Sequence, residues 1–122
     1  MAMTSGDFRK SVGFALAGIT AAWRGEFNFR IQVACAILLA LVLGALRPAP
    51  IWVALCIAMA ALVLAAELFN TAIESLCDHL APDIHPAIKK TKDCAAAAVL
   101  VTSAGALTVG VMTVMVALGL LP

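Results

Sequence analysis

The sequence predicts an all-α membrane protein in which an N-terminal amphipathic surface helix precedes a bundle of three transmembrane helices. Composition is the first reason: 64% of the 122 residues are hydrophobic and only 12% are charged, with a mean hydropathy of +1.07, far from an average soluble domain. Distribution is the second, since the apolar residues collect in three runs that approach the thickness of a bilayer. The third is punctuation, because Pro48, Pro50, Pro82 and Pro86 all fall between those runs. A net charge of +1, from 8 basic and 7 acidic residues, provides no basic footprint. Nucleic acid is therefore not an expected partner.

The first element covers 4–25. Phe8, Val12, Ala15 or Leu16, Ile19 and Trp23 recur every three or four residues, with Arg9, Lys10 and Arg24 interspersed, which predicts an interfacial amphipathic helix. The alternative is an extension of the first transmembrane helix, which Gly13, Gly18 and Gly25 would weaken as a rigid rod. Within it, GFALAGIT has the glycine spacing of a phosphate-binding loop, but Ile19 stands where that loop needs lysine and no strand precedes it. The segment lacks the continuous apolar core and small-residue cleavage site of a signal peptide, so no removed leader is expected.

The first membrane helix is expected at 27–46, twenty residues or about 30 Å of rise. Arg47-Pro48-Ala49-Pro50 ends it and permits a tight reversal. The second, at 51–77, is apolar only to about Ala66 and reaches a full span by including its polar end, which puts Glu67 near one membrane surface. A long polar loop, DHLAPDIHPAIKKTKD, is expected next, and then a third membrane helix at 94–121. Its start, CAAAAVL, offers a small-residue face for close packing in lipid. Arg9, Lys10 and Arg24 precede the first span and Lys89, Lys90 and Lys92 lie in the long loop, while only Arg47 lies in the first connection. The positive-inside rule puts the N-terminus and long loop in the cytoplasm and the C-terminus outside. Cys35, Cys56, Cys77 and Cys94 are widely spaced and read as free, buried thiols.

The polar end of the second span carries the chemistry. Glu67, Asn70, Glu74 and Asp78 follow one another at intervals of 3, 4 and 4 residues and form a single helical stripe. Glu26 flanks the first span at the same end, and Lys92 and Asp93 introduce the third. Carboxylates from separate helices with a nearby lysine match a magnesium nucleotide, because Mg²⁺ takes one or two carboxylates plus phosphate oxygens and lysine neutralises phosphate. Alternatively, Glu74, Asp78 and the lysines simply solvate a helix end. Glu67 is the deepest of the set, and partial desolvation suits it to act as general base for a hydroxyl at the lipid surface. Its alternative role is an interhelical hydrogen bond. His79 and His85 with Cys77 and Cys94 match no standard zinc spacing.

Three segments, GITAAWRGEFNFR (18–30), ELFNTAIESLCD (67–78) and KKTKDCAAAAVL (89–100), occur in that order. They resemble the G-[LI]-x-x-A-x-x-x-E-x-x-[FM]-R, E-x-x-N-[ST]-A-I-E-x-x-x-D and A-K-D-x-x-[AS]-A-A-V-L segments of the small prokaryotic diacylglycerol kinases, including their undecaprenol kinase relatives. The resemblance runs from about Phe8 to the C-terminus. It implies a homotrimer of three-span subunits in the bacterial cytoplasmic membrane. The implied reaction transfers the ATP γ-phosphate to a membrane-lipid hydroxyl with Mg²⁺ as cofactor, diacylglycerol giving phosphatidic acid, or undecaprenol as the alternative acceptor. By motif position the resemblance makes Glu67 the catalytic base, Asn70 its polar neighbour, and Glu26 with Glu74 the metal carboxylates. Lys92 and Asp93 would hold the nucleotide phosphates and sugar, with Asp83, Ile84, His85 and Phe14 completing the ATP site. Trp23 and Arg30 join Glu67 and Asn70 around the lipid. Phe14 stands where diacylglycerol-using members tend to have tyrosine, and Asp7 where the family has a basic residue, with Arg9 two positions on. Gln32 stands where diacylglycerol kinases have glutamate and undecaprenol kinases often histidine, and His85-Pro86 leans toward the latter. A proton-coupled transporter or non-enzymatic membrane subunit is the rival class. The near absence of polar residues from the first and third spans favours chemistry at the surface instead.

Overall fold

A computed structural model describes residues 5–83 and 85–122, and of Ser5 the backbone alone. These residues form four helices: α1 (Ser5–Gly25), α2 (Phe27–Leu46), α3 (Pro50–Leu80) and α4 (Pro86–Ala117). The last three are each long and apolar enough to cross a membrane.

Helix α1 includes GFALAGIT, which is thus helical along its whole length and no phosphate loop. Its apolar residues Phe8, Val12, Leu16, Ile19 and Trp23 all remain exposed, and only Ala22 is buried, where α1 meets the bundle. A stripe that covers nothing within its own chain is what an interfacial helix presents to lipid. The break to α2 falls at Glu26, whose backbone is extended (φ −109°, ψ 114°). Arg30 fixes that corner: its Nη1 donates to the Trp23 carbonyl at 3.3 Å, and its guanidinium lies 5.8 Å from the centre of the Phe27 ring.

At the other end of α2, Arg47 takes the left-handed conformation (φ 49°, ψ 55°) and its N–H donates to the Leu43 carbonyl, at 2.9 Å. Pro50, which lacks a donor, then occupies the first turn of α3, where none is needed. The expected tight reversal is therefore made from a left-handed cap and two prolines.

Helices α3 and α4 pack along much of their length, and α2 leans chiefly on α3. The buried residues of α3 are Cys56, Val63, Glu67, Asn70 and Cys77, spaced 7, 4, 3 and 7 apart, which is the seam of a coiled-coil pair. Small residues of α4 admit the approach: a Cβ on Gly105 would stand 3.0 Å from the Met59 Cε. Deeper along the seam, the Cys56 Sγ and Thr113 Oγ1 meet at 3.3 Å. Because α2 stands off from α4, an apolar groove of about 550 Å³ remains open between the three helices, with Gln32 and Ser103 as its polar residues.

The helix ends differ from expectation. The second span was expected to stop at 77 and the third to begin at 94, but α3 continues to Leu80 and α4 starts at Pro86. A helix leaving lipid keeps its backbone bonds while its side chains turn polar, so polarity marks the membrane boundary and not the helix end. The His85 side chain caps α4 by accepting from the Ala87 N–H at 3.2 Å. At its far end α4 stops at Ala117 rather than 121, as Gly119 turns the chain with φ +71°. All four cysteines are free, but only Cys56 and Cys77 are buried; Cys35 and Cys94 lie on exposed helix faces.

Candidate active site

The start of α2, the end of α3 and the start of α4 lie at one end of the bundle. Helix α3 has 31 residues, a rise of about 46 Å against a hydrocarbon core of about 30 Å, so its last turns project past the apolar layer. Glu67 stands about 26 Å from Pro50, just inside that limit.

Glu67 is 2% exposed and has no hydrogen-bond or ion-pair partner among the described residues. The interhelical hydrogen bond, its alternative role, is therefore absent among them. Glu26 and Glu74 lie close enough for their charges to act on the Glu67 carboxylate. Glu26 sits at the N-cap of α2, yet its side chain makes no capping bond, which leaves the carboxylate uncommitted. Glu74 is half-buried. Asn70 is buried, and its Oδ1 and the neighbouring Thr71 Oγ1 have no partner. The stripe predicted from spacing is therefore the packing seam itself, entering it at Glu67 and Asn70 and emerging toward Asp78.

A second group surrounds the α3–α4 turn. Asp78, Asp83, His85, Lys89, Lys92 and Asp93 line a cleft of about 260 Å³. Lys92 Nζ donates to Asp78 Oδ1 at 2.5 Å, and Lys89 pairs with Asp93 at 2.5 Å. Lys89, Asp93 and Asp78 are largely exposed to solvent and Lys92 is half-buried, so both pairs can exchange for another anion or cation. Lys92 also lies within electrostatic reach of Glu74, and so links the cleft to the carboxylates.

The structure thus assembles Glu26, Glu67, Asn70 and Glu74 in one group and Asp83, His85, Lys92 and Asp93 in another. Ile84 lies outside the described residues. Phe14 is 76% exposed on α1 and lines neither cavity. Trp23 and Arg30 stand exposed at the α1–α2 corner, where Arg30 already holds a backbone carbonyl. Sequence reasoning passed over Thr71, although it adjoins Asn70. It also missed Asp78 as the partner of Lys92, which only the turn brings near, and Lys89 as the partner of Asp93, although the two stand four residues apart on α4.

An end of a helical bundle that gathers one buried and two half-buried carboxylates beside a charged, water-accessible cleft defines a membrane protein equipped for chemistry at the lipid surface. The family model for prokaryotic diacylglycerol kinase matches residues 13–114, and the chain belongs to that family. The diacylglycerol kinase of Pseudomonas aeruginosa is 40% identical over 88 residues, 72% of each chain. That of Escherichia coli K12 is 37% identical over 93 residues, 75% of each chain. That of Synechocystis is 36% identical over 101 residues, which cover 82% of this chain and 58% of the relative. The protein is a multi-pass bacterial membrane protein and a lipid kinase, a phosphotransferase acting on an alcohol group.

Proposed function

We propose that the protein transfers the γ-phosphate of ATP to the hydroxyl of diacylglycerol, forming phosphatidic acid at the cytoplasmic face of the membrane, and that it works as a homotrimer. The observation that carries this reading is Glu67: a carboxylate 2% exposed, at the polar end of an apolar span, beside two further carboxylates. Glu67 takes the proton of the lipid hydroxyl as its oxygen bonds to the γ-phosphorus; the bond to the bridging oxygen breaks, ADP leaves, and Glu67 returns its proton to water.

Glu26 and Glu74 come from different helices, offer hard oxygen donors and are not tied up elsewhere, which fits Mg²⁺ held jointly with phosphate oxygens. They would hold the ion, which when bound neutralises charge on the β- and γ-phosphates. Lys92 exchanges Asp78 for a phosphate, and Asp93 releases Lys89 to meet the sugar. Asp83 and His85 line the nucleotide cleft, Phe14 contributes from α1, and Trp23 and Arg30 flank the lipid headgroup at the corner.

Diacylglycerol is favoured over undecaprenol by the names of the relatives. His85, which leans the other way in sequence, is accounted for by capping α4. The test is ATP consumption by purified protein in mixed micelles, with diacylglycerol and a polyprenol offered separately. Turnover with diacylglycerol is expected; turnover with the polyprenol alone would reassign the acceptor.

A further inference from the structure

Thr71 carries a hydroxyl that the reaction above does not use. Its Oγ1 is buried and unpartnered, unlike the other threonines of the described helices. Thr20, Thr91, Thr102, Thr108 and Thr113 each donate to the carbonyl four residues back. That back-bond is the ordinary refuge for a helical hydroxyl away from water. Its absence at Thr71 leaves a buried hydroxyl proton uncommitted.

Position gives the hydroxyl a target. At about 100° per residue, Thr71 stands roughly 40° to one side of Glu67 and Asn70 roughly 60° to the other. Helical side chains lean toward the N-terminus, so Thr71 leans back over the turn that bears Glu67. Glu67 has no partner among the described residues, and the Asn70 Oδ1 has none either. Two adjacent turns thus hold three polar side chains whose partners are unmade. A neutral donor is suited to the place, because it does not compete for phosphate as a cation would.

We propose that Thr71 is a positioning residue for phosphoryl transfer, its hydroxyl donating to one oxygen of the Glu67 carboxylate and leaving the other to receive the proton of the lipid hydroxyl. The proposal rests on Glu67 as base. Thr71 keeps its own proton throughout; the proton that moves passes from lipid to Glu67.

The experiment compares Thr71→Val, which keeps the shape, with Thr71→Ser, which keeps the hydroxyl, and with Glu67→Gln. For each, kcat, the KM for ATP and for diacylglycerol, and the thermal midpoint are measured in mixed micelles. Thr71→Val is expected to lower kcat about tenfold or more while both KM values stay within about twofold. Its thermal midpoint should hold or rise, since a buried unpaired oxygen is removed. Thr71→Ser should stay within about threefold of the parent. Should Thr71→Val not assemble, Thr71→Ala gives the same reading of kcat against KM. A parental kcat without the hydroxyl, or a loss that follows the thermal midpoint and is not restored by serine, overturns the proposal. Turnover by Glu67→Gln would remove the base itself, whereas an inactive Glu67→Gln beside a fully active Thr71→Val removes only the role of Thr71.

Discussion

Glu26 occupies a helix N-cap, a position where a polar side chain ordinarily bonds the first free N–H groups, and does not do so. Glu74 approaches the same space from α3. If both hold the metal with the nucleotide, Glu26→Gln and Glu74→Gln each raise the Mg²⁺ concentration for half-maximal activity, by about tenfold or more. A titration of activity against Mg²⁺ checks this, and an unchanged midpoint in both variants would separate these residues from the metal. Lys92 shows what spacing alone conceals. Its link to Asp78 joins residues 14 apart across a turn, and no helical periodicity predicts it. Arg30 likewise bonds the carbonyl of Trp23, a backbone acceptor that no side-chain pattern reveals.

Helix α2 was legible to the residue because Glu26 and Arg47-Pro48 bound its apolar run on both sides. For α3 and α4 the sequence marked where lipid ends, whereas the helices end later, at Leu80, and begin earlier, at Pro86. The carboxylate stripe was legible as a stripe, but its coincidence with the packing seam was not, because polar spacing does not say which neighbour a face meets. That seam depends on the absence of a side chain at Gly105. The Met59 Cε is the flexible end of a side chain and can yield to one added methyl, but not to an isobutyl group. Gly105→Ala is expected to stay close to the parent in thermal unfolding, and Gly105→Leu to lose about 1–3 kcal/mol. Equal stability of the two would mean that α3 and α4 do not close at this point.

The whole molecule is polarised along its length. Of its 15 charged residues, from 8 basic and 7 acidic, Arg47 alone falls in the connection between α2 and α3, at the end of the spans away from the carboxylates. If the basic residues at the other end lie in the cytoplasm, as proposed, single cysteines placed near Lys90 and near Pro48, in a background lacking the four native thiols, are expected to label from opposite sides of oriented vesicles. Labelling of both from one side, or of the Lys90 site only from outside, would reverse the proposed access to ATP. The same lopsidedness bears on how the chain enters a membrane. In that orientation, carrying the α2–α3 hairpin across moves a single charged side chain, opposed by about 2.3 kcal/mol per 100 mV of potential, and the side chains of residues 118–122 carry no charge. Biogenesis therefore has little electrical work to do, and the apolar helices can supply the driving force for insertion before any two of them have found each other.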